Sequence, residues 1–179
     1  DFTPITTTAG AQMGIVSLSS KGWKDINDVI AAAKAGEQIR FGTMGVRLGD
    51  LAYLLGKAQG VDFNIITVRG GKAVMNGVNA GDMDIGFMAG IQNKGVAAGE
   101  LVNLASAMSE PLLQTPDAPL MSDLGVKYDG NAFFMLAGPG GMPDEARNAL
   151  ADAIAGVVTD ESTKAGALIK RAFGGAKII

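Results

Sequence analysis

Short apolar runs alternate with helical patterns along most of this sequence, and this alternation restricts the fold more than any other feature. Strands are predicted over residues 12–18, 39–42, 63–68, 83–88 and 101–107, with helices between them. Because each β-like and α-like unit takes roughly 20 to 30 residues, the pattern favours a mostly parallel sheet flanked by helices. Ligands bind such sheets at the carboxyl ends of the strands. We therefore predict an α/β fold with its site at that edge.

Two predicted strand-to-helix turns, residues 41–46 and 68–72, are rich in glycine. Glycine lets the backbone turn tightly and approach a ligand, while the first N–H groups of the following helix face outward. A helix start carries partial positive charge, so two such turns at one sheet edge would suit a carboxylate or a phosphate. The predicted ligand-binding residues are Thr43, Met44, Gly45, Val46, Arg47, Arg69, Gly70, Gly71 and Lys72.

The sequence of each turn also fits a purely structural explanation that involves no ligand. The first turn contains neither GxxxxGK[ST] nor GxGxxG, so an ordinary tight turn also explains its glycines. The side chain of Arg47 either contacts a ligand or lies in solvent. Arg69 and Lys72 either attract an anion or form a solvated surface pair.

The residue content argues against most enzymes and against nucleic acid. The 179 residues include no His and no Cys, which removes Ser–His–Asp and Cys–His catalysis and His-bearing zinc sites. We therefore expect no catalytic residues, no metal and no cofactor. The 18 acidic and 15 basic residues give a net charge of -3, and no basic cluster is present, so nucleic acid is not an expected partner.

One carboxylate pair keeps an enzymatic interpretation open. Asp82 and Asp84 lie at a predicted strand start, where alternation places both side chains on one side. Such a pair suits acid–base chemistry in a small α/β hydrolase or transferase. We favour the structural interpretation, in which one aspartate belongs to a turn and the other is a cap.

The two ends of the sequence differ from its middle. No run of about 18 apolar residues occurs, so no membrane span is predicted. The chain opens at Asp1 without an initiating Met, from which we expect a piece of a longer protein. Residues 138–143 form a connector rich in Gly and Pro, and helices are predicted over 144–158, with Pro143 at the first position, and over 161–173. We place a boundary there, between residues 1–138 and 139–179.

Taken in order, several segments resemble the periplasmic solute-binding proteins of the tripartite tricarboxylate transporter family, the TctC or Bug receptors. Residues 41–46 resemble the family turn fGtsGvGS, and residues 68–71 with 81–84 resemble yrGg…G.vD. Further matches lie at residues 1–5, 101–105, 116–119 and 138–143. Each motif is weak alone, but the ordered set spans nearly the whole chain.

The resemblance implies a two-lobed receptor with a type II periplasmic-binding-protein fold, whose cleft holds a small organic acid. Residues 1–138 would supply the second lobe, and residues 139–179 would pack toward a first lobe that is mostly absent. The implied partners are a small carboxylate, that first lobe and the integral-membrane subunits of a transporter, and the implied location is the periplasm. In the family, the turns corresponding to residues 43–46 and 69–72 help to hold one ligand carboxylate.

Two residues of the first turn depart from the family pattern. Arg47 and Leu48 stand where the family usually has Gly-Ser, which removes a hydroxyl donor and adds bulk and a positive charge. Either Arg47 pairs with a second ligand carboxylate, or the pocket takes another solute. A further alternative is a receptor lobe that serves as a ligand sensor, or as an oligomerisation module that forms a homo-oligomer through the face left by the first lobe.

Overall fold

The computed structural model describes all 179 residues, which divide into two compact units. Unit 1 combines residues 1–11 with residues 132–179, and unit 2 is the continuous segment 12–131. This division differs from the boundary placed at residue 138, because the strand Phe133–Pro139 pairs with the first strand of the chain. The assignment of residues 1–138 to one receptor lobe stays a prediction. No helix combines the length and the apolar character that a membrane crossing requires.

Unit 2 is built on a five-stranded sheet in the order β4-β3-β5-β2-β6. Its strands are β2 (Met13–Leu18), β3 (Arg40–Thr43), β4 (Asn64–Thr67), β5 (Ile85–Ala89) and β6 (Leu101–Ser106). β3 is parallel to β4 and to β5, whereas β2 is antiparallel to both β5 and β6. Four of the five strands therefore run in one direction, and the predicted mostly parallel sheet is confirmed.

Helices cover both faces of this sheet. They are α1 (Ile26–Lys34), α2 (Val46–Gln59), α3 (Gly71–Ala80) and the short α4 (Asn93–Ala97). The buried apolar side chains of α1 and α2 pack in one cluster with Phe87, and those of α3 pack in a second cluster with Met88. Because successive strand residues point to opposite faces, the two clusters lie on opposite sides of the sheet. The unit is thus a three-layer α/β sandwich.

Two paired glycines bring α3 close to the sheet. Gly42 of β3 and Gly86 of β5 are register partners. A Cβ atom on Gly86 would overlap the Cγ1 of Val74, and a Cβ on Gly42 would lie 3.1 Å from the same atom and would overlap the Sδ of Met83. Interiors are packed too densely to absorb such overlaps without a shift. Glycine at both positions therefore allows α3 to pack this closely against the sheet.

An ion-pair cluster holds the amino end of the sheet. The carboxylate of Asp84, which lies just before β5, accepts bonds of 2.9 Å from the backbone N–H, Nε and Nη2 of Arg40, and it lies 2.6 Å from the Nζ of Lys21. Burial alone would raise the pKa of Asp84, but these hydrogen bonds outweigh burial and hold the pKa well below its usual range. Asp84 is thus a buried anchor that caps no helix, whereas Asp82 is exposed.

Unit 1 contains a two-stranded antiparallel sheet and two helices. Its elements are β1 (Phe2–Gly10), β7 (Phe133–Pro139), α5 (Asp144–Thr159) and α6 (Lys164–Phe173). The strand β1 is not predicted from the sequence, because threonines rather than alternating apolar residues fill its middle. Pro143 is the N-cap residue of α5 rather than its first residue. Likewise, α6 begins three residues after the predicted start at 161, because the hydroxyl of Thr163 caps it.

Candidate functional site

The two glycine-rich turns lie side by side in unit 2. β3 and β4 are parallel neighbours whose last residues, Thr43 and Thr67, are register partners. The N–H of Val68 donates to the carbonyl oxygen of Thr43 at 2.9 Å, so the strands stay paired up to the turns. Since α2 and α3 begin directly after these turns, both helix starts lie at the same edge of the sheet.

The backbone at both helix starts is open to a ligand. Gly45 and Gly70 are the N-cap residues, with φ of 155° and 84°, values that glycine adopts more readily than other residues. Neither helix has a side-chain cap, so its first-turn N–H groups lack the partner that a capping side chain would supply. No acidic residue lies in either first turn, so no carboxylate offsets the positive end of either helix.

Two cations add to this positive charge. Arg69 and Lys72 flank the start of α3 and are exposed. The structure gives neither side chain a salt bridge or a hydrogen bond, so both charges are available to a ligand. Together with the helix starts they make this edge electropositive.

Thr43 and Met44 serve the two turns in different ways. The hydroxyl of Thr43 is fully buried and lies 3.0 Å from that of Thr67, so this hydroxyl links β3 to β4. Met44 reaches across to the second turn, where its Sδ would lie 3.7 Å from a Cβ atom on Gly71. The Cγ2 of Ile91 would lie 3.9 Å from the same point. Three turns, those after β3, β4 and β5, therefore converge at Gly71.

The third turn, residues 90–92, is missed by the sequence analysis. Gln92 is fully buried; its Oε1 accepts from the N–H of Gly90 at 2.7 Å, and its Nε2 donates to the carbonyl of Gln12 at 3.0 Å. The side chain of Gln12 in turn accepts from the N–H of Leu113 at 2.9 Å. The available signal is that residues 90–92 follow a third parallel strand, whose carboxyl end must lie at the same edge as the other two.

Arg47 and Leu48, the two residues at the start of α2 that differ from the family pattern, have structural roles. Arg47 donates from Nη1 to the carbonyl of Asn131 and from Nη2 to the carbonyl of Asp129, both at 3.0 Å. Its guanidinium therefore holds residues 129–131; the side chain is 62% exposed, and its contact with a second ligand carboxylate stays a prediction. Leu48 is only 7% exposed and belongs to the core, so it does not add bulk to the site.

A cavity of about 430 Å³ opens on the flank of α2. Its lining residues are Arg47, Asp50, Leu51, Leu54, Lys127, Tyr128 and Asp129. Two carboxylates and two cations balance there, so this cavity lacks the excess positive charge of the turns. The helix starts therefore carry a greater excess of positive charge than this cavity does. No group of three or more His, Cys, Asp or Glu side chains in the structure could hold a metal ion.

Known proteins resemble the chain in both sequence and fold. Residues 1–171 match the tripartite tricarboxylate transporter family receptor, TctC. None of the curated proteins matches. Among solved structures, an R. palustris protein with adipate has a TM-score of 0.79 at 20% identity, with 98% of this chain and 60% of that chain covered. The periplasmic binding protein BugD has a TM-score of 0.80 at 19% identity, with coverages of 99% and 60%.

A third solved structure is MatC from Rhodopseudomonas palustris with bound malate. Its TM-score is 0.70 at 19% identity, with 90% of this chain and 56% of that chain covered. The chain thus spans at most 60% of the length of these three proteins, and at such low identity they show the fold alone. The family match extends over nearly the whole sequence and names a receptor rather than an enzyme. The chain therefore belongs to the TctC family of tripartite tricarboxylate transporter receptors.

Proposed function

We propose that the chain is the greater part of a periplasmic receptor that captures a small organic acid. The observation that carries this proposal is the pair of uncapped helix starts at one sheet edge, with Arg69 and Lys72 unpaired beside them. A carboxylate placed there would accept N–H bonds from both helices and would be attracted by both cations. The adipate and the malate in two solved relatives support a carboxylate ligand.

The proposed receptor binds its ligand without converting it. Asp84, the buried carboxylate of the pair considered for acid–base chemistry, lies at the opposite edge of the sheet and is held by Arg40 and Lys21. A general base must come within hydrogen-bond reach of its substrate, and Asp84 is engaged elsewhere. At the proposed site, the backbone N–H groups and cations orient an anion, and no cofactor is needed for that task.

We propose that a further lobe of the same protein covers the exposed strand β7 of unit 1. Phe133, Phe134, Met135 and Leu136 of β7 are 41–58% exposed, which is unusual for four successive apolar residues. This proposal is supported by the greater length of the solved relatives, of which this chain covers 60%. The helices α5 and α6 would pack toward the same lobe.

Light scattering of the full-length protein tests whether a further lobe, rather than a second copy of the chain, covers β7. If the further lobe covers β7, the protein is expected to be monomeric at micromolar concentration. A dimer that persists on dilution, and that Phe134→Ser dissociates, would instead support the oligomerisation module.

The proposed location and transport partner follow from the family. A receptor of a tripartite transporter acts in the periplasm and delivers its ligand to integral-membrane subunits. We therefore expect an N-terminal signal peptide in the precursor of the full-length protein. A precursor that is retained in the cytoplasm would contradict the transport role and favour the sensor alternative.

A thermal-shift screen of the full-length protein tests the proposed function. A ligand that binds only the native state raises the melting temperature by mass action, with about 2.7 kcal/mol of added stability at 100 times its Kd. We expect a shift with at least one small carboxylate under conditions where chloride gives none. The double variant Arg69→Gln/Lys72→Gln should lose the shift, whereas Lys34→Gln, at the exposed end of α1, should keep it. No shift with any mono-, di- or tricarboxylate would contradict the proposal.

A further inference from the structure

We propose that the cavity on the flank of α2 is a second ligand site, which takes a small zwitterion with an apolar body. The cavity lies within unit 2, between α2 and residues 127–129. Its volume of about 430 Å³ falls in the range of about 300–1,000 Å³ that is usual for small-molecule sites. The inference goes beyond the proposed function, because the charges in this cavity differ from those at the helix starts.

Hydrogen bonds hold the two walls of this cavity together. Arg47, in the first turn of α2, donates to the carbonyl oxygens of Asp129 and Asn131, both at 3.0 Å. The N–H of Asn131 donates to the Oδ1 of Asp129 at 3.0 Å, and its Oδ1 accepts from the N–H of Ser109 at 3.2 Å. On the opposite wall, Leu51 is 2% exposed and belongs to the core. The cavity is therefore formed in advance, so a ligand has little of it to order.

Two charges of opposite sign in the lining have no partner. Arg47 and Asp129 engage each other, with Nη2 and Oδ1 3.9 Å apart. Asp50 and Lys127 are exposed, and the structure gives neither side chain a salt bridge or a hydrogen bond. A zwitterion in the cavity would therefore gain two charged partners, Asp50 for its ammonium group and Lys127 for its carboxylate.

A ligand with a single charge gains less in the same cavity. A simple carboxylate would meet Lys127 but would also approach the carboxylates of Asp50 and Asp129. A simple amine would meet Asp50 but would also approach Lys127 and Arg47. Like charges brought close together oppose binding. The lining therefore favours a molecule that carries both charges over a molecule that carries either one.

The rest of the lining suits an apolar body. Leu51 and Leu54 lie three residues apart on α2 and therefore share one side of that helix. Tyr128 adds an aromatic ring, and its side chain is largely exposed. An apolar group placed against these side chains would gain from being removed from water. A branched aliphatic amino acid such as leucine combines such a group with both charges.

Leucine and two of its analogues test this preference on the full-length protein. 4-Methylpentanoate lacks the ammonium group of leucine, and 3-methylbutylamine lacks its carboxylate. Amide chemical shifts of residues 50–54 and 127–129 report binding in the cavity. We expect leucine to shift these signals with a Kd about fivefold or more below that of either analogue, as for the loss of one favourable exposed ion pair.

Two charge variants test the assigned partners. Asp50→Asn should bring the cavity affinity for leucine close to that for 4-methylpentanoate, because the ammonium group then has no charged partner. For the corresponding reason, Lys127→Gln should bring the affinity for leucine close to that for 3-methylbutylamine. The controls are Asp62→Asn and Lys34→Gln, which change exposed charges outside the cavity and should leave both ratios as in the wild type.

The outcomes separate this inference from the proposed function. The double variant Arg69→Gln/Lys72→Gln should keep the leucine shifts at the cavity, although it is expected to lose carboxylate binding at the helix starts. Absence of leucine shifts at the cavity, equal affinities for leucine and either analogue, or ratios unchanged in Asp50→Asn and Lys127→Gln would overturn the inference. Leucine shifts confined to residues 45–48 and 70–72 would also overturn it, and would leave the carboxylate receptor standing.

Discussion

Replacing Asp84 with asparagine tests the cluster at the amino end of the sheet. Asparagine keeps the size of the side chain but puts an NH2 group against the donors of Arg40 and Lys21. The side chain of Asp84 is 8% exposed, and breaking a buried ion pair costs about 3–5 kcal/mol. Because Lys21 and Arg40 are 36% and 38% exposed and regain water, we expect the smaller loss of about 2–3 kcal/mol in the free energy of unfolding.

Tryptophan fluorescence provides the assay for this variant. Trp23 is the only tryptophan of the chain, and it lies in unit 2, with the Nζ of Lys21 5.4 Å from the centre of its ring. Urea unfolding followed by its emission therefore reports the stability of the unit that contains the cluster.

The pH dependence of this loss has a defined direction. The pKa of Asp84 in the folded protein lies below the value of about 3.9 for an unfolded aspartate, so ionised Asp84 stabilises the fold above that pH. As the pH falls below about 4, towards the still lower pKa of Asp84 in the folded protein, the wild type progressively loses this contribution and the asparagine variant does not. The stability difference is therefore expected to be full at neutral pH and to narrow in acid.

The control for Asp84→Asn is Asp82→Asn. Asp82 is exposed and lies two residues away, so its replacement should change the stability by no more than about 0.5 kcal/mol. Equal losses in the two variants, or a difference for Asp84→Asn that stays constant with pH, would refute the anchoring role of the carboxylate.

Two further substitutions test the glycines that shape the site. Gly86→Ala should destabilise the fold by about 1–3 kcal/mol in urea, because the new methyl group would overlap Val74; Gly156→Ala, where the Cβ position is open, should not destabilise it. Unchanged stability of Gly86→Ala would contradict the close packing of α3. Gly45→Val should abolish carboxylate binding in a titration and leave far-UV circular dichroism largely unchanged, because φ at this position is 155° and bulk would block approach to the N–H groups. Retained affinity in that variant would count against the site.

The strands and helices of unit 2 could be predicted because their signals are local. Apolar runs mark the buried strands β2 and β5, and Gly60 and Gly81 end α2 and α3 in the left-handed conformation. By contrast, β1 is built from threonines and is specified by its partner β7, which lies more than 120 residues away in the sequence. Pairing at that separation leaves no local pattern.

The candidate site also has features that local sequence predicts and features that depend on distant contacts. The two turns could be located from their glycines, and their proximity follows from the rule that parallel strands end at one edge. The hydrogen bond from Arg47 to residue 131 could not be predicted. The carbonyl oxygen of Asn131, which accepts it, lies 84 positions away in the sequence and is close to Arg47 only in the folded chain. The role of Gln92 could not be predicted either, because its hydrogen bond to Gln12 depends on the antiparallel pairing of β2 with β5.

Amide chemical shifts measured during a carboxylate titration test the central claim most directly. In the full-length protein, the account predicts that a bound carboxylate shifts the backbone N–H signals of residues 45–48 and 70–72 most strongly, because these groups would donate to it. Shifts confined to residues 127–129, beside the cavity on the flank of α2, or to unit 1 would place the ligand elsewhere and contradict the account.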